Sequence, residues 1–440
     1  MTETSPASPT TPRESAHAFS GTALSALASR PRGGPPWLEE RRAEAASRFD
    51  ATGFPAPNDE AFRFTELGRV LRVPYASVPA RRVSSPLDRL AARRIHIDGG
   101  RVDVAGLGDE AGVEVRRLRD VLDEAPARLE PYLAALAASH DGFVAQNTAL
   151  LDDGVVVVVR AGTKAGPLHL AYSGGVASPA FATPRAVVVA ERGSELDLVE
   201  SHAGDGEYLE NAVTEVFVGE GASVEHVRMA LGSERSAAVA TIAVRQSRDS
   251  RYRSRILSFG GSKLTRVDLR VELAEQGAEC SLDGVFLADG GSLVDHHTRV
   301  VHGSPRCTSS QRYRGIADGH GVGVFDGTVI VRPGASGTEA HQESRNLLLS
   351  NDATVHAKPH LEIDTDDVRC SHGATVGRLD PAQLFYLRSR GIDESVARSL
   401  LTYAFAREVV SGVGRADVRE VLEEIVADRL PSGLIAKELA

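Results

Sequence analysis

The chain has 440 residues, of which 42% are hydrophobic, enough for a sizeable buried core and for two or three folded units. Its formal net charge of -10, from 60 acidic against 50 basic residues, disfavours nonspecific binding to nucleic acids or acidic lipids. The three cysteines, Cys280, Cys307 and Cys370, form no CxxC pair and no disulfide framework, which indicates a reducing compartment. No apolar run approaches the roughly 18 residues of a membrane span, and the N-terminus lacks the charged-then-apolar order of a secretory signal. We therefore expect a cytoplasmic protein.

The N-terminal third is predicted to be a tail followed by helices. Residues 1–36 are rich in Ser, Thr, Pro and Ala, a composition that cannot repay the entropy of ordering, so they are predicted to be disordered. Residues 37–150 predict a helical region that begins with the run WLEERRAEAASRF. A second helical stretch is predicted over 118–139, interrupted by Pro126 and Pro131.

Residues 151–375 predict a core of β-strands wound as a solenoid. Short runs rich in Val, Ile, Thr and Phe, such as VTEVFV, alternate with tight turns. Glycine-containing turns at Gly193, Gly221, Gly277 and Gly334 are separated by near multiples of about 28 residues, which indicates a repeat. Because one coil cannot bury its own apolar side, repeated coils stack and share an interior. The pattern favours a β-helix, and a β-sandwich is the alternative.

Residues 376–440 predict a C-terminal helical domain. Asp380 is placed to cap a helix that ends before Gly391. A longer helix follows from Asp393, and a last helix ends before Pro431.

The stretch KPHLEIDTDDVRCSHGATVGRLD, residues 358–380, is the richest in potential metal ligands. If it is extended, alternation places six such side chains on one face: His360, Glu362, Asp364, Asp366, Cys370 and His372. The Cys370 thiolate and the His372 imidazole can approach one metal, but two ligands do not complete a zinc or iron-sulfur site. A second chain would have to supply the others. The alternative is a polar strand edge whose acidic side chains prevent aggregation.

A second group of ligand-type residues lies in the run VDHHTRVVH: Asp295, His296, His297 and His302. Adjacent histidines on a strand point to opposite faces, so only one of His296 and His297 can join a given site. Histidines that make surface or interstrand hydrogen bonds are the simpler interpretation. Cys280 and Cys307 are expected to be buried small apolar residues.

The motifs of several catalytic sites are absent from the sequence. There is no GxxxxGK[ST] phosphate loop, and GGSKLT at 260–265 lacks the second glycine before the lysine. A GxSxG nucleophile elbow, an HExxH motif and a GxGxxG that opens a helix after a strand are also missing. We therefore expect that the chain does not hydrolyse ATP alone, and the absence of these motifs disfavours the catalytic alternatives.

The segment CSHGATVGRLDPAQLFYLRSRGIDESVARSLLTYAFA, residues 370–406, closely resembles the C-terminal signature of the SufB/SufD family. The form CSHGATVG is similar to SufD rather than SufB. The resemblance extends back through EID, DDV, RNLLLS and DHHTRVVH to the N-terminal PAPNDEAFRFTEL, where Phe62 stands at a position that is usually Trp in the family. It covers about residues 37–430.

This resemblance implies a right-handed parallel β-helix core with helical N-terminal and C-terminal regions. It implies a non-catalytic scaffold subunit of the SUF complex that pairs with SufB and docks the ATPase SufC, which carries the ATPase activity, through the C-terminal helices. A transient iron-sulfur cluster would form at the SufB interface, with His372 as a ligand and Cys370 beside it as a second candidate. Reduced flavin in the assembled complex is also implied, and the isolated chain could form a homodimer.

Two other classes of protein remain as alternatives. One is a β-helix carbohydrate-active enzyme, because Asp364, Asp366 and Asp367 could imitate paired carboxylates, although the chain lacks an export signal. The other is a purely structural adaptor that stabilises SufB and recruits SufC without a metal-ligand role. Replacement of His372 distinguishes the adaptor from the metal-site hypothesis.

Overall fold

The computed structural model describes residues 33–429 except 57, 74, 76–80, 104, 106–107, 138–140 and 175–178. Most of the predicted tail and residues 430–440 lie outside the described residues. The α-helices are α1 Pro36–Thr52, α2 Gly68–Leu71, α3 Leu118–Glu124, α4 Gly142–Ala149, α5 Pro381–Ser389, α6 Glu394–Val410 and α7 Ala416–Arg429. In the described part of the chain, no helix is long and apolar enough to cross a membrane.

The strands outnumber the helices and lie mainly in the middle of the chain. The first ten are β1 Arg93–Asp98, β2 Arg101–Val102, β3 Gly108–Glu110, β4 Val113–Arg117, β5 Val155–Val159, β6 Lys164–Ser173, β7 Ala180–Ala182, β8 Arg185–Ala190, β9 Glu195–Ala203 and β10 Tyr208–Val218. The next six are β11 Ser223–Leu231, β12 Ala237–Gln246, β13 Arg251–Phe259, β14 Leu264–Leu273, β15 Glu279–Ala288 and β16 Leu293–His302. The last five are β17 Thr308–Ala317, β18 Val322–Val331, β19 Thr338–Leu348, β20 Thr354–Ile363 and β21 Val368–Gly377.

The strands form a parallel β-solenoid of about eight turns, which confirms the predicted β-helix and excludes the β-sandwich. From β8 onward the even-numbered strands up to β20 lie in one sheet, and from β9 onward the odd-numbered strands up to β21 lie in the other. Ser223 pairs with Glu195 on one side and Arg251 on the other, so the coil step is the predicted 28 residues. The predicted turn glycines adopt positive φ, as at Gly193 (65°) and Gly221 (63°), which favours glycine there.

The main hydrophobic core lies between the two sheets. Alternate side chains of each strand point inward, and vertical stacks such as Val224, Tyr252 and Cys280 run along the solenoid axis. Full burial of one aliphatic side chain such as Val224 stabilises the folded state by roughly 1.5–3 kcal/mol. Cys280 and Cys307 are buried, as predicted.

The region 37–150 is helical only in part, because it also contains β1 to β4. Strand β1 pairs in parallel with β6, and β4 pairs antiparallel with β5, so these strands close the first coil of the solenoid. Ile95 and Ile97 are buried at period two, a strand pattern that the helical prediction missed. The helix predicted over 118–139 ends at Glu124, because Pro126 begins a short 3-10 turn there, and Ser139 lies outside the described residues.

The C-terminal helices fold back along the outer face of the odd-numbered sheet. Val409, Leu422 and Val426 pack with Leu257 and Ile316 of that sheet in one buried cluster. The predicted caps are present: the Asp380 side chain accepts a hydrogen bond from the Ala382 N–H, and that of Asp393 from the Ser395 N–H. The helices therefore cover the side of the solenoid, while β20 and β21 remain at its end.

Candidate functional site

The last coil of the solenoid has one free edge on each sheet. Within the described chain, β20 pairs only with β18, and β21 pairs only with β19. Register with the preceding coil shows which side chains continue the inward-facing stacks, since Ile363 follows the buried Val331 and Val376 follows the buried Asn346. We call this inward face of β20 and β21 the open end; it comprises Val355, Ala357, Pro359, Leu361, Ile363, Cys370, His372, Ala374 and Val376.

The open end exposes apolar side chains that would be core residues in any earlier coil. Ile363 is 41% exposed and Val376 is 47% exposed. Large exposed aliphatic side chains at an unpaired sheet edge mark a surface suited to another chain.

Cys370 and His372 lie on the same face of β21, as predicted. Cys370 pairs in register with the buried Ala340, and His372 pairs with the buried Gln342. Cys370 is half-buried against Val329 and its neighbours, and burial raises the pKa of its thiol despite a backbone hydrogen bond at Ala340. His372 is exposed, so one potential ligand is partly shielded and the other is accessible.

The other four predicted ligands do not join them, so the prediction of one extended segment is wrong. Strand β20 ends at Ile363 and β21 begins at Val368 in the opposite sheet, and Asp364 and Asp366 lie in the turn between them. His360 and Glu362 alternate with the inward residues of β20 and therefore point to the outside of the solenoid. The Asp-Thr-Asp-Asp run is rich in turn-forming residues, which is the physical reason for the break. Across the residues that the structure describes, no three His, Cys, Asp or Glu side chains are grouped so that they could hold a metal ion.

The histidines of β16 point to opposite faces, as predicted. His296 points inward and its Nε2 lies 2.8 Å from the Ser258 hydroxyl, while His302 makes the same contact with Ser309 at 2.8 Å. Burial lowers the pKa of His296 to about 3 and that of His302 to about 4, so both are neutral at pH 7. The interpretation of interstrand hydrogen bonding is confirmed for these two residues.

His297 and Asp295 face outward, beneath the N-terminal segment. Asp295 accepts a hydrogen bond from the Thr65 hydroxyl at 2.5 Å and forms a buried ion pair with Arg266, and its Oδ1 lies 2.8 Å from His297 Nε2. The Arg266 guanidinium also lies 3.8 Å from the centre of the Phe62 ring. Phenylalanine at this position therefore keeps a cation–π contact that ties the N-terminal segment to the solenoid.

A buried charged cluster inside the solenoid was not predicted from the sequence. Glu200 Oε2 lies 3.6 Å from His226 Nε2 and 3.7 Å from Arg228 Nε, and His202 Nδ1 lies 2.5 Å from Glu210 Oε1. Burial opposes ionisation of Glu200, but its electrostatic interactions with His226 and His202 outweigh that effect and hold its pKa well below the usual range. The sequence contains a pattern that could have predicted this cluster. Glu200 and His202 alternate in step with Leu196 and Leu198 in β9, so all four side chains point to the interior.

The sequence of this chain is similar to a family model and to several known proteins of iron-sulfur cluster assembly. Residues 173–405 match a family model described as the SUF system FeS cluster assembly, SufBD core domain. An iron-sulfur cluster assembly SufBD family protein of Synechocystis sp. is 30% identical over 417 residues, which cover 89% of this chain and 91% of the relative. The iron-sulfur cluster assembly protein SufD of Escherichia coli is 27% identical over 394 residues (87% and 90%), and that of Bacillus subtilis is 30% identical over 248 residues (54% and 56%).

Proposed function

This chain belongs to the SufBD family of the SUF iron-sulfur cluster assembly system, and we propose that it is a non-catalytic scaffold subunit that pairs with SufB and docks SufC. In this proposal the protein acts in the cytoplasm, and the ATPase activity resides in SufC. Reduced flavin belongs to the proposal only as a component of the assembled complex.

The open end is the proposed surface for SufB, and this single feature carries the proposal. It combines unpaired strand edges with exposed Ile363 and Val376, so a second β-helix stacked there would bury apolar surface and satisfy backbone groups. We assign this surface to SufB, the partner that the family resemblance implies. In the absence of SufB, a second copy of this chain could occupy the same surface as a homodimer.

His372 is proposed to be a ligand of the iron-sulfur cluster, which is the cargo of the assembly system. An accessible imidazole and a half-buried thiol on one strand face supply two donors, too few for a cluster, and SufB would complete the set. Because the thiol of Cys370 is partly shielded and its pKa is raised, we assign Cys370 the secondary role.

Helix α5 is proposed to be part of the docking surface for SufC. Phe385 is 73% exposed and Tyr386 is 57% exposed on this helix, although both are large apolar or amphipathic side chains. Such adjacent aromatic side chains commonly serve as anchors in protein interfaces.

Replacement of His372 tests the metal role against the purely structural adaptor. The His372→Ala chain, co-expressed with SufB and SufC, should assemble normally, because an exposed side chain adds little to folding. Anaerobic iron and sulfide analysis should then show a sharp loss of cluster loading, whereas Cys370→Ser should lose less. Normal assembly with wild-type loading would instead establish the adaptor, and failure of the wild-type chain to co-purify with SufB would refute the pairing.

A further inference from the structure

Polar side chains form a ladder inside the last three coils. On the odd-numbered sheet, consecutive coils align Gln311, Gln342 and His372 in register. On the even-numbered sheet the matching positions are Thr298, Gly327 and Pro359. We call Gln311 and Gln342 the glutamine ladder, and His372 occupies its next rung at the open end.

The glutamine ladder is buried, and Gln311 Oε1 accepts two side-chain hydrogen bonds. Gln311 and Gln342 are 1% and 4% exposed. The Thr298 hydroxyl donates to Gln311 Oε1 at 2.7 Å, and Gln342 Nε2 donates to the same oxygen at 3.4 Å. The donor of Gln342 is thus directed toward the earlier coil, away from His372.

Gly327 provides the space that allows Gln342 to reach across the interior. A Cβ atom at this position would overlap the Gln342 amide nitrogen, so only glycine leaves the amide in its present place. The side chain is therefore held at the centre of the solenoid, directly beneath the rung that carries His372.

Two polar atoms of this arrangement lack a partner among the described residues, Gln311 Nε2 and Gln342 Oε1, and only Gln342 belongs to the coil next to His372. Gln342 Oε1 is buried and accepts no hydrogen bond from any residue that the structure describes. A buried carbonyl oxygen without a donor costs about 1–3 kcal/mol, so a donor at the next rung is strongly favoured. Rungs of a sheet lie about 4.8 Å apart, a spacing that hydrogen bonds between stacked side chains can bridge.

We propose that Gln342 is a positioning residue for His372. A rotation of the exposed His372 side chain would bring one ring N–H to the amide oxygen of Gln342, and the hydrogen bond would fix the tautomer and turn the lone pair of the other ring nitrogen out of the open end. Ligating histidines commonly donate their second ring N–H to an acceptor in this way, and loss of that acceptor typically weakens metal binding 10- to 100-fold. The tautomer depends only on this chain, whereas the effect on iron rests on the function proposed above.

The tautomer can be measured on the full-length isolated chain labelled with ¹⁵N in its histidine rings. Two-bond proton–nitrogen spectra at neutral pH should show a single neutral tautomer for His372, with resonances identified by their loss in His372→Gln. Gln342→Leu should give a mixture of tautomers, and Gln342→Glu, which keeps an acceptor oxygen, should restore the single form. Gln246→Leu is the matched control, because this buried glutamine bonds to Ser250 in an earlier coil, and it should leave His372 unchanged.

The outcomes separate this inference from the proposed function. A tautomer mixture in the wild-type chain overturns the role of Gln342 without requiring any variant to fold, as does an unchanged single tautomer in Gln342→Leu. In the complex with SufB and SufC, Gln342→Leu should weaken iron binding about 10-fold, with recovery in Gln342→Glu. If the tautomer result holds but His372→Ala still loads iron normally, the cluster role fails and the positioning contact stands.

Discussion

Three buried histidines of the solenoid are held in the neutral state by burial. Their pKa values are lowered to about 4 for His169, about 3 for His296 and about 4 for His302. Each ring nitrogen Nε2 lies 2.7–2.8 Å from a serine hydroxyl, and His169 Nδ1 also accepts a hydrogen bond from Arg94 Nε at 3.2 Å. These residues therefore stabilise the interior only while they remain unprotonated.

We predict that the free energy of unfolding falls as the pH is lowered from 6.5 to 5. In the unfolded chain these histidines become protonated near pH 6.5, whereas in the folded chain their pKa values are about 3–4. Between these values the unfolded state binds more protons than the folded state, so acidification favours unfolding. Each histidine contributes about 1.4 kcal/mol per pH unit across this window. In His302→Gln, urea denaturation between pH 6 and 5 should show a slope smaller by that amount. An unchanged slope would contradict a neutral, buried His302.

Close packing around inward glycines leads to a second prediction at the residue scale. A Cβ atom at Gly284 would overlap the Tyr313 ring, so Gly284→Ala should destabilise the protein by about 1–3 kcal/mol. Gly373→Ala is the matched control on β21, because nothing lies within 4 Å of its Cβ position. Thermal denaturation of both variants measures the difference, and equal melting temperatures would show that the interior can adapt.

At the level of elements, one ion pair ties helix α6 to the solenoid. The guanidinium of Arg314, only 1% exposed, donates to both carboxylate oxygens of Glu408 at 2.7 and 3.0 Å. The same guanidinium also pairs with Glu343 at 2.6 Å. Because Arg314 is buried on β17, its partners determine how firmly the helix is held.

We predict that Glu408→Ala loosens the C-terminal helices without unfolding the coils. Loss of a charged partner from the buried guanidinium should cost about 1–3 kcal/mol, reduced by the remaining contact with Glu343. Hydrogen exchange should become faster in α6 while β13 to β17 stay protected. Glu423→Ala removes the more exposed pair with Arg407 and should have an effect below about 1 kcal/mol. Equal exchange in the two variants would show that the Arg314 pair is not what holds the helix.

Local sequence signals predicted some elements and missed others for identifiable reasons. Turn glycines such as Gly193 and Gly221 gave the coil step because positive φ restricts the residue type there. The caps at Asp380 and Asp393 were predicted because capping depends on residues a few positions apart. The break between β20 and β21 was missed because polar and apolar side chains alternate with period two in both strands. That alternation does not reveal a short turn between them.

The candidate site could be predicted from sequence only in part. Cys370 and His372 are two residues apart on one strand, so their shared face follows from period two. The alignment of Gln342 beneath His372 depends on the register between coils 30 residues apart, which no local pattern contains. The charged cluster around Glu200 likewise requires knowledge of which strand face is inward.

For the molecule as a whole, the open end and helix α5 should behave as separate surfaces. We predict that Ile363→Asp combined with Val376→Asp abolishes association with SufB, because the two charges would be buried in the interface. The isolated variant should fold as well as wild type, since both side chains are already exposed. Circular dichroism and co-purification measure the two effects.

Phe385→Asp on α5 is the reciprocal control, and it should lose SufC while keeping SufB. Retention of SufB by the double variant would place that partner elsewhere on the chain.

The closure of the solenoid by β1 to β4 at its first coil has a consequence for assembly. There β4 runs antiparallel to β5, and the short β2 and β3 end the two sheets. A solenoid with both ends free could add subunits head to tail and grow into a fibre. With one terminus closed in this way, we expect end-to-end stacking of solenoids through the open end to stop at a pair.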